Sequence, residues 1–119
     1  MNKNISLLVA VLVLNTGCKI CQLNESNESE VKRFLMNMDI IKHWEEGVDG
    51  HILMVDDYRN ALYYLSDVTG INTKADYSST MGYSNKDDYR ADIRLWRKWL
   101  NKNKCQLTQS FVDSIIGKK

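Results

Sequence analysis

Three cysteines carry the most reactive side chains of this 119-residue chain. Cys18 and Cys21 have the spacing of a thiol–disulfide redox motif and of half a zinc site. A redox motif of this kind lies at a helix start after a strand, and a zinc site needs two further ligands at paired spacing. His43, His51 and Cys105 do not supply that spacing. The sequence therefore predicts no metal site, and it leaves lipid attachment or a structural disulfide as the chemistry of these cysteines.

The first 17 residues have the features of a secretory signal. Lys3 precedes an apolar run that ends at Leu14, and the small residues Thr16 and Gly17 follow after one asparagine. An apolar run of about 10 residues is too short to cross a bilayer, which takes roughly 20 residues in a helix. We therefore predict that residues 1–17 are a signal peptide that is removed.

The segment LNTGC, from Leu14 to Cys18, resembles the lipobox of bacterial lipoproteins. In that family a small residue precedes a cysteine that takes the lipid and becomes the first residue of the mature chain. Gly17 and Cys18 match these two positions, whereas Asn15 stands where the family usually has leucine or another aliphatic residue. The resemblance implies cleavage between Gly17 and Cys18 and a covalent lipid on Cys18, with no other cofactor. It also implies a cell-envelope protein anchored by lipid, in the outer membrane and facing the periplasm or the cell surface.

Residues 18–29 are predicted to form the lipidated N-terminus and a flexible tether. The stretch from Asn24 to Glu30 consists of Asn, Glu and Ser, which offer too little apolar surface to order a segment. With Cys18 taken by a lipid, Cys21 and Cys105 remain in an oxidising compartment, where they could form one disulfide. The alternative for Cys105 is a buried free thiol.

Residues 30–119 are predicted to form one all-α domain, a small bundle of three to four helices. The chain is 44% hydrophobic and 26% charged, as is usual for a globular protein, and it contains no proline. Apolar residues recur at helical spacing. The predicted helices span 30–46, 56–69, 87–103 and part of 108–117. The run from Ile52 to Val55 could be a short strand or the first turn of the second helix.

The apolar faces of these helices predict the core, and polar residues at their ends predict the boundaries. Gly47 and Gly70 are expected to end the first two helices, and the pairs Asp56–Asp57 and Asp87–Asp88 to lie at helix starts. The predicted core residues are Val31, Phe34, Leu35, Met38, Ile41, Trp44, Tyr58, Ala61, Leu62, Leu65, Val68, Tyr89, Ile93, Trp96 and Leu100.

A second resemblance covers Ala61 to Lys104. ALYYLSDVTG, followed after a loop by WRKWLNKNK, resembles the end of HEAT-like helical modules in exported bacterial proteins. In those modules a helix that ends in Thr-Gly precedes a Trp-x-x-Trp helix. The resemblance implies paired helices and a scaffold or binding role. The chain contains no second copy of the pattern, so a repeat array is not expected.

The third predicted helix carries cations that lie mostly outside its apolar stripe. A basic helix with an aromatic edge can bind anionic lipid, peptidoglycan or an acidic protein, and the alternative is a solvated face whose tryptophans anchor the core. The candidate binding surface consists of Arg90, Arg94, Arg97, Lys98 and Trp99. We expect no nucleic-acid partner, because the formal charge is only +1 and the chain is exported.

These observations favour a lipid-anchored, non-enzymatic binding or interaction module. Its expected partners are the membrane, through the lipid anchor, and a protein or another envelope component. An immunity-type or inhibitor lipoprotein is a narrower version, motivated by small size and location. Two alternatives stay open: an enzyme that acts on the cell wall through a carboxylate such as Glu45 or Glu46, and a thiol redox protein that uses Cys18 and Cys21.

Overall fold

The fold is all-α, as predicted. The computed structural model describes residues 23–47, 54–76 and 82–117. The predicted signal peptide, Cys18 and Cys21 lie outside these residues, as does His51. The helices are α1 (Glu25–Glu46), α2 (Val55–Thr69), α3 (Lys86–Asn103) and α4 (Gln109–Ile116).

Helix α1 begins at Glu25 rather than at residue 30, so a tether that extends to residue 29 is wrong for the last part of that segment. Asn24 is the N-cap, and its side chain accepts a hydrogen bond from the backbone N–H of Asn27 at 3.0 Å. Asn27 and Glu30 are buried. Hydrogen bonds to the rest of the domain order this segment. Its low hydropathy does not indicate these bonds, so the prediction of a tether failed here.

The side chain of Asn27 joins the start of α1 to the turn between α3 and α4. Its amide nitrogen donates to the backbone oxygens of Lys104, Cys105 and Leu107 at 3.3, 2.9 and 3.1 Å. Three carbonyl groups of a tight turn are thereby satisfied by one buried amide. This contact fixes the beginning of α1 beside the end of α3.

We expect Asn27→Asp to lower the free energy of unfolding by about 3 kcal/mol, because a buried carboxylate would then face three carbonyl oxygens without a donor. Urea denaturation followed by circular dichroism measures this loss. Asn37→Asp is the matched control, since the Asn37 amide donates to Arg33 at 2.8 Å on the exposed side of the same helix. We expect the control to change stability by less than about 0.5 kcal/mol. Equal losses in the two variants would contradict the role of Asn27.

Helix α2 supplies the centre of the core, and its predicted apolar face is confirmed. Among the predicted core residues Leu35 is 47% exposed, and Val31, Trp44 and Ile93 are partly buried and pack against the core. The neighbouring Phe34 takes the inward position on α1 and is fully buried. Leu107 and Ala75, from outside the predicted helices, are buried as well. The buried apolar residues are Phe34, Met38, Ile41, Tyr58, Ala61, Leu62, Tyr64, Leu65, Val68, Ala75, Tyr89, Trp96, Leu100, Leu107 and Val112.

The predicted glycines end α1 and α2, and besides the early start of α1 there is a difference at the start of α2. Gly47 and Gly70 end α1 and α2 with φ of 61° and 70°, a left-handed conformation that glycine adopts readily. The N-cap of α2 is Met54, whose backbone N–H donates to Asp57 at 3.2 Å. Val55 is therefore the first helical residue and not the end of a strand.

The loop between α2 and α3 is held by a buried carboxylate. Asp92 of α3 is fully buried, and its Oδ2 accepts hydrogen bonds from Thr73 Oγ1 at 2.7 Å, from the Lys74 backbone N–H at 2.9 Å and from the Tyr83 hydroxyl at 2.8 Å. Both described sides of the loop thus converge on one side chain.

Four buried or partly buried tyrosines donate to carboxylates, and the pKa is raised in three of them: Tyr64, which donates to Glu30, Tyr83, which donates to Asp92, and Tyr89, which donates to Glu46. Burial is the largest cause that raises the pKa of each phenol above its ordinary value of 10, and the neighbouring carboxylate raises it further.

We expect the protein to lose stability as the pH rises above about 10. The unfolded chain releases phenol protons there while the folded chain retains them, so the free energy of unfolding falls with pH. The stabilisation is fully present below the unfolded pKa. Each tyrosine contributes a slope of at most about 1.4 kcal/mol per pH unit. Urea denaturation at a series of alkaline pH values measures it, and a free energy of unfolding that stays constant there would refute the expectation.

Candidate functional site

A groove of about 710 Å³ is lined by the C-terminal part of α1 and by α3. Six of its ten lining residues are cations and one is a carboxylate. We refer to it as the basic groove. Its lining consists of Lys42, Glu46, Tyr89, Arg90, Ile93, Arg94, Arg97, Lys98, Asn101 and Lys102.

The two walls of the groove are helices that run antiparallel. At one end the hydroxyl of Tyr89, near the start of α3, donates to Oε1 of Glu46, the last residue of α1, at 3.1 Å. At the other end Asn27, near the start of α1, donates to the backbone oxygen of Lys104. These two contacts fix how α1 lies along α3, and with it the shape of the groove.

The cations of α3 form a row along one side of the helix. Arg90, Arg94, Lys98 and Lys102 follow one another every four residues. At a rise of 1.5 Å per residue they are separated by about 6 Å and span about 18 Å in total. Arg97 lies beside this row, and all five line the groove.

Most of these cations have no anionic partner among the described residues. Arg90 forms an ion pair of 3.8 Å with Asp87, and both side chains are exposed. Within residues 23–47, 54–76 and 82–117, no ion pair joins the remaining five cations to a carboxylate: Lys42, Arg94, Arg97, Lys98 and Lys102. The groove therefore has a positive potential, and an anion can neutralise these five cations without displacing an ion-pair partner from the described part of the chain.

The structure brings four members of the predicted binding surface together and separates the fifth. Arg90, Arg94, Arg97 and Lys98 line the basic groove. Trp99 does not line it. Its ring is partly buried and lies parallel to Phe34, with centroids 5.6 Å apart.

The ring of Phe111 also stacks on Trp99, with centroids 6.5 Å apart and an interplanar angle of 27°. The tryptophan thus links α1, α3 and α4. Sequence reasoning missed Lys42 and Glu46, because the wall that α1 contributes exists only once α1 packs along α3. The continuation of the basic row to Lys102 was visible in the sequence as a third four-residue step, from Lys98 to Lys102.

The carboxylates considered for catalysis bind tyrosines of other helices. Oε1 of Glu45 accepts a hydrogen bond from Tyr58 at 2.8 Å, and Glu46 accepts one from Tyr89. His43 contacts the backbone oxygen of Asp39 at 2.7 Å. Among the described residues no group of three or more His, Cys, Asp or Glu side chains is placed to hold a metal ion.

Cys105, in the turn after α3, is disulfide-bonded, so the alternative of a free thiol is wrong. The other two cysteines of the chain, Cys18 and Cys21, lie outside the described residues. The pairing of Cys105 with Cys21 therefore stays a prediction.

Comparison of the chain with protein-family models, with curated proteins and with solved structures found no match. The resemblances to the lipobox and to HEAT-like modules stay predictions. Of the four described helices, none combines the length and the apolar character that a membrane crossing needs. The basic groove is therefore the feature from which a function can be argued.

Proposed function

We propose that the protein is a lipid-anchored component of the cell envelope whose helical domain is a non-enzymatic binding module for an anionic partner. The observation that carries the proposal is the basic groove, in which five cations have no ion-pair partner among the described residues. Exposed cations in a concave site bind anions with little structural adjustment, and they also steer a charged partner toward the site.

The lipobox resemblance at Leu14 to Cys18 supports the anchor. The disulfide of Cys105 supports an oxidising compartment, since stable disulfides are rare in a reducing cytosol. Cys21 stands three residues before Asn24, the N-cap of α1, and three residues span at most about 10 Å. Asn27 holds this end of α1 against the Cys105 turn, and a chain of that length is long enough for a pairing of Cys21 with Cys105. We propose that Cys18 carries the lipid and that Cys21 pairs with Cys105.

The proposed location is the outer membrane, facing the periplasm or the cell surface. Tethering raises the effective concentration of targets that lie within reach of the anchor. An immunity-type or inhibitor role is the narrower form of the proposal, in which the anionic partner is an enzyme of the same compartment. Glu45 and Glu46 then have a structural role, because each accepts a hydrogen bond from a tyrosine of another helix.

The anchor is tested by metabolic labelling of the full chain with a fatty-acid probe. We expect the wild type and Cys21→Ser to take up the label and Cys18→Ser to lose it. Cys21→Ser is the matched control, because it removes a neighbouring cysteine and leaves the proposed attachment point. Label that persists in Cys18→Ser would refute the anchor.

The groove is tested with the processed protein in detergent micelles and fluorescent poly-L-glutamate as the probe. We expect saturable binding by fluorescence anisotropy that weakens steeply as salt is raised, since exposed charges are screened. Poly-L-lysine of the same length serves as the control and is expected not to bind. A protein that fails to bind polyglutamate at low salt would refute the role of the groove.

A further inference from the structure

The spacing of the cations in the basic groove restricts what kind of anion fits it. Arg90, Arg94, Lys98 and Lys102 are about 6 Å apart because they recur every four residues of a helix. A second α-helix with acidic residues at every fourth position presents carboxylates at the same interval. Each four-residue step also turns by about 40° around the helix axis, so a helix packed on α3 meets neighbouring cations in turn, and the long side chains at the ends of the row reach toward it. A ligand of about 12 residues covers the full row.

The groove also contains an apolar contact surface between its cations. Ile93 lines the groove while it packs partly against the core, and the ring of Tyr89 lies one turn before it. A fully hydrated polyanion gains nothing from such a surface. An amphipathic helix gains from it, since its apolar residues can pack on Ile93 while the flanking carboxylates meet the cations.

One end of the groove carries a negative charge. Glu46 lines the groove and is held there by the hydroxyl of Tyr89 at 3.1 Å. A polyphosphate, whose charges are all negative, is repelled at this end. A protein segment can place a lysine or arginine opposite Glu46, which turns the same carboxylate into an attractive contact.

From these three features we infer that the anionic partner is a protein that binds through one amphipathic helix. That helix has carboxylates at four-residue intervals over about three turns, apolar residues beside them, and a cation at the end that meets Glu46. The inference rests on the proposed function, because it names the partner class of the same groove.

The test uses the processed full chain in detergent micelles and three labelled synthetic peptides of equal length. The phased peptide has Glu at every fourth position, Leu on the flank and Lys at one end. The scrambled peptide has the same composition with Glu distributed around the helix, and in the third peptide Gln replaces the terminal Lys. We expect the phased peptide to bind at least tenfold more tightly than the scrambled one. It should also bind several-fold more tightly than the Gln peptide, and this last preference should disappear in Glu46→Gln. Circular dichroism first confirms that Glu46→Gln is folded.

Competition and self-association experiments test two other occupants of the groove, an inorganic polyanion and a second copy of this chain. Equal binding of the phased and scrambled peptides, or displacement of the phased peptide by inorganic polyphosphate at equal charge concentration, would overturn the helix inference and leave the anion-binding groove in place. Self-association that Arg94→Glu abolishes would overturn it in favour of a second copy of this chain. Absence of binding to every peptide and to polyglutamate would overturn the proposed function as well.

Discussion

Asp92→Ala is expected to lower the free energy of unfolding by about 3 kcal/mol. The substitution removes the acceptor of three hydrogen bonds, from Thr73, Lys74 and Tyr83. Hydrogen bonds to a charged acceptor contribute about 1.5–3 kcal/mol each in net terms. The sum is reduced because the buried carboxylate itself is costly to desolvate, and its second oxygen has no hydrogen-bond partner among the described residues.

Urea denaturation measures the loss, and Asp113→Ala is the matched control. Asp113 is exposed on α4, where Oδ1 accepts a hydrogen bond from the Gln109 amide at 2.8 Å. Its replacement is expected to change stability by less than about 0.5 kcal/mol. Hydrogen exchange at the Lys74 amide is a second readout, because Asp92 accepts from that N–H. An Asp92→Ala variant as stable as the control would show that the carboxylate does not hold the loop.

The double substitution Arg94→Glu with Arg97→Glu is expected to weaken binding to polyglutamate by about 100-fold or more. Both guanidinium groups line the basic groove, so the exchange changes its local charge by four units and places two carboxylates in the path of the ligand. Stability is expected to change by less than about 1 kcal/mol, since both side chains are exposed and form no ion pair within the described part of the chain.

Lys32→Glu with Lys86→Glu is the matched control for this experiment. Both lysines are exposed helical residues that do not line the groove. The control changes the net charge by the same amount, so it separates the local potential of the groove from the charge of the whole protein. We expect it to reduce binding by less than about tenfold at moderate salt, because neither lysine lines the groove and exposed charges outside it are partly screened. If both double variants lost binding equally, the groove would not be the binding site.

The parts of the fold that depend on short-range pattern were predictable. The apolar face of α2 repeats at helical spacing, and its five predicted core residues are all buried. The ends of α1 and α2 follow from Gly47 and Gly70, because a left-handed residue ends a helix and glycine adopts that conformation readily. The N-cap of α3 is Asn85, a residue type that favours this position, and Asp87 and Asp88 lie in the first turn as predicted.

The parts that depend on distant residues were not predictable. The start of α1 is determined by acceptors of Asn27 that follow it by 77 to 80 residues. The groove needs Lys42 and Glu46 from α1 beside α3, and only tertiary packing brings these residues together. The position of Trp99 also depends on a residue that is distant in the sequence. Trp99 lies at the edge of the apolar stripe of α3, a position that is compatible with exposure. Stacking on Phe34 of α1 makes it partly buried instead.

The residues of helix α3 fall into two groups, one buried in the core and one exposed in the groove. Asp92, Trp96 and Leu100 are buried and hold the domain together, whereas the arginines and lysines that α3 contributes to the groove are exposed and, apart from the Arg90–Asp87 pair, form no ion pair within the described residues. Substitutions in the exposed set can therefore change the charge of the groove at little cost to the fold. Tyr89 belongs to both sets, since it is buried and also lines the groove. A substitution at Tyr89 is therefore expected to change both the groove and the stability of the domain.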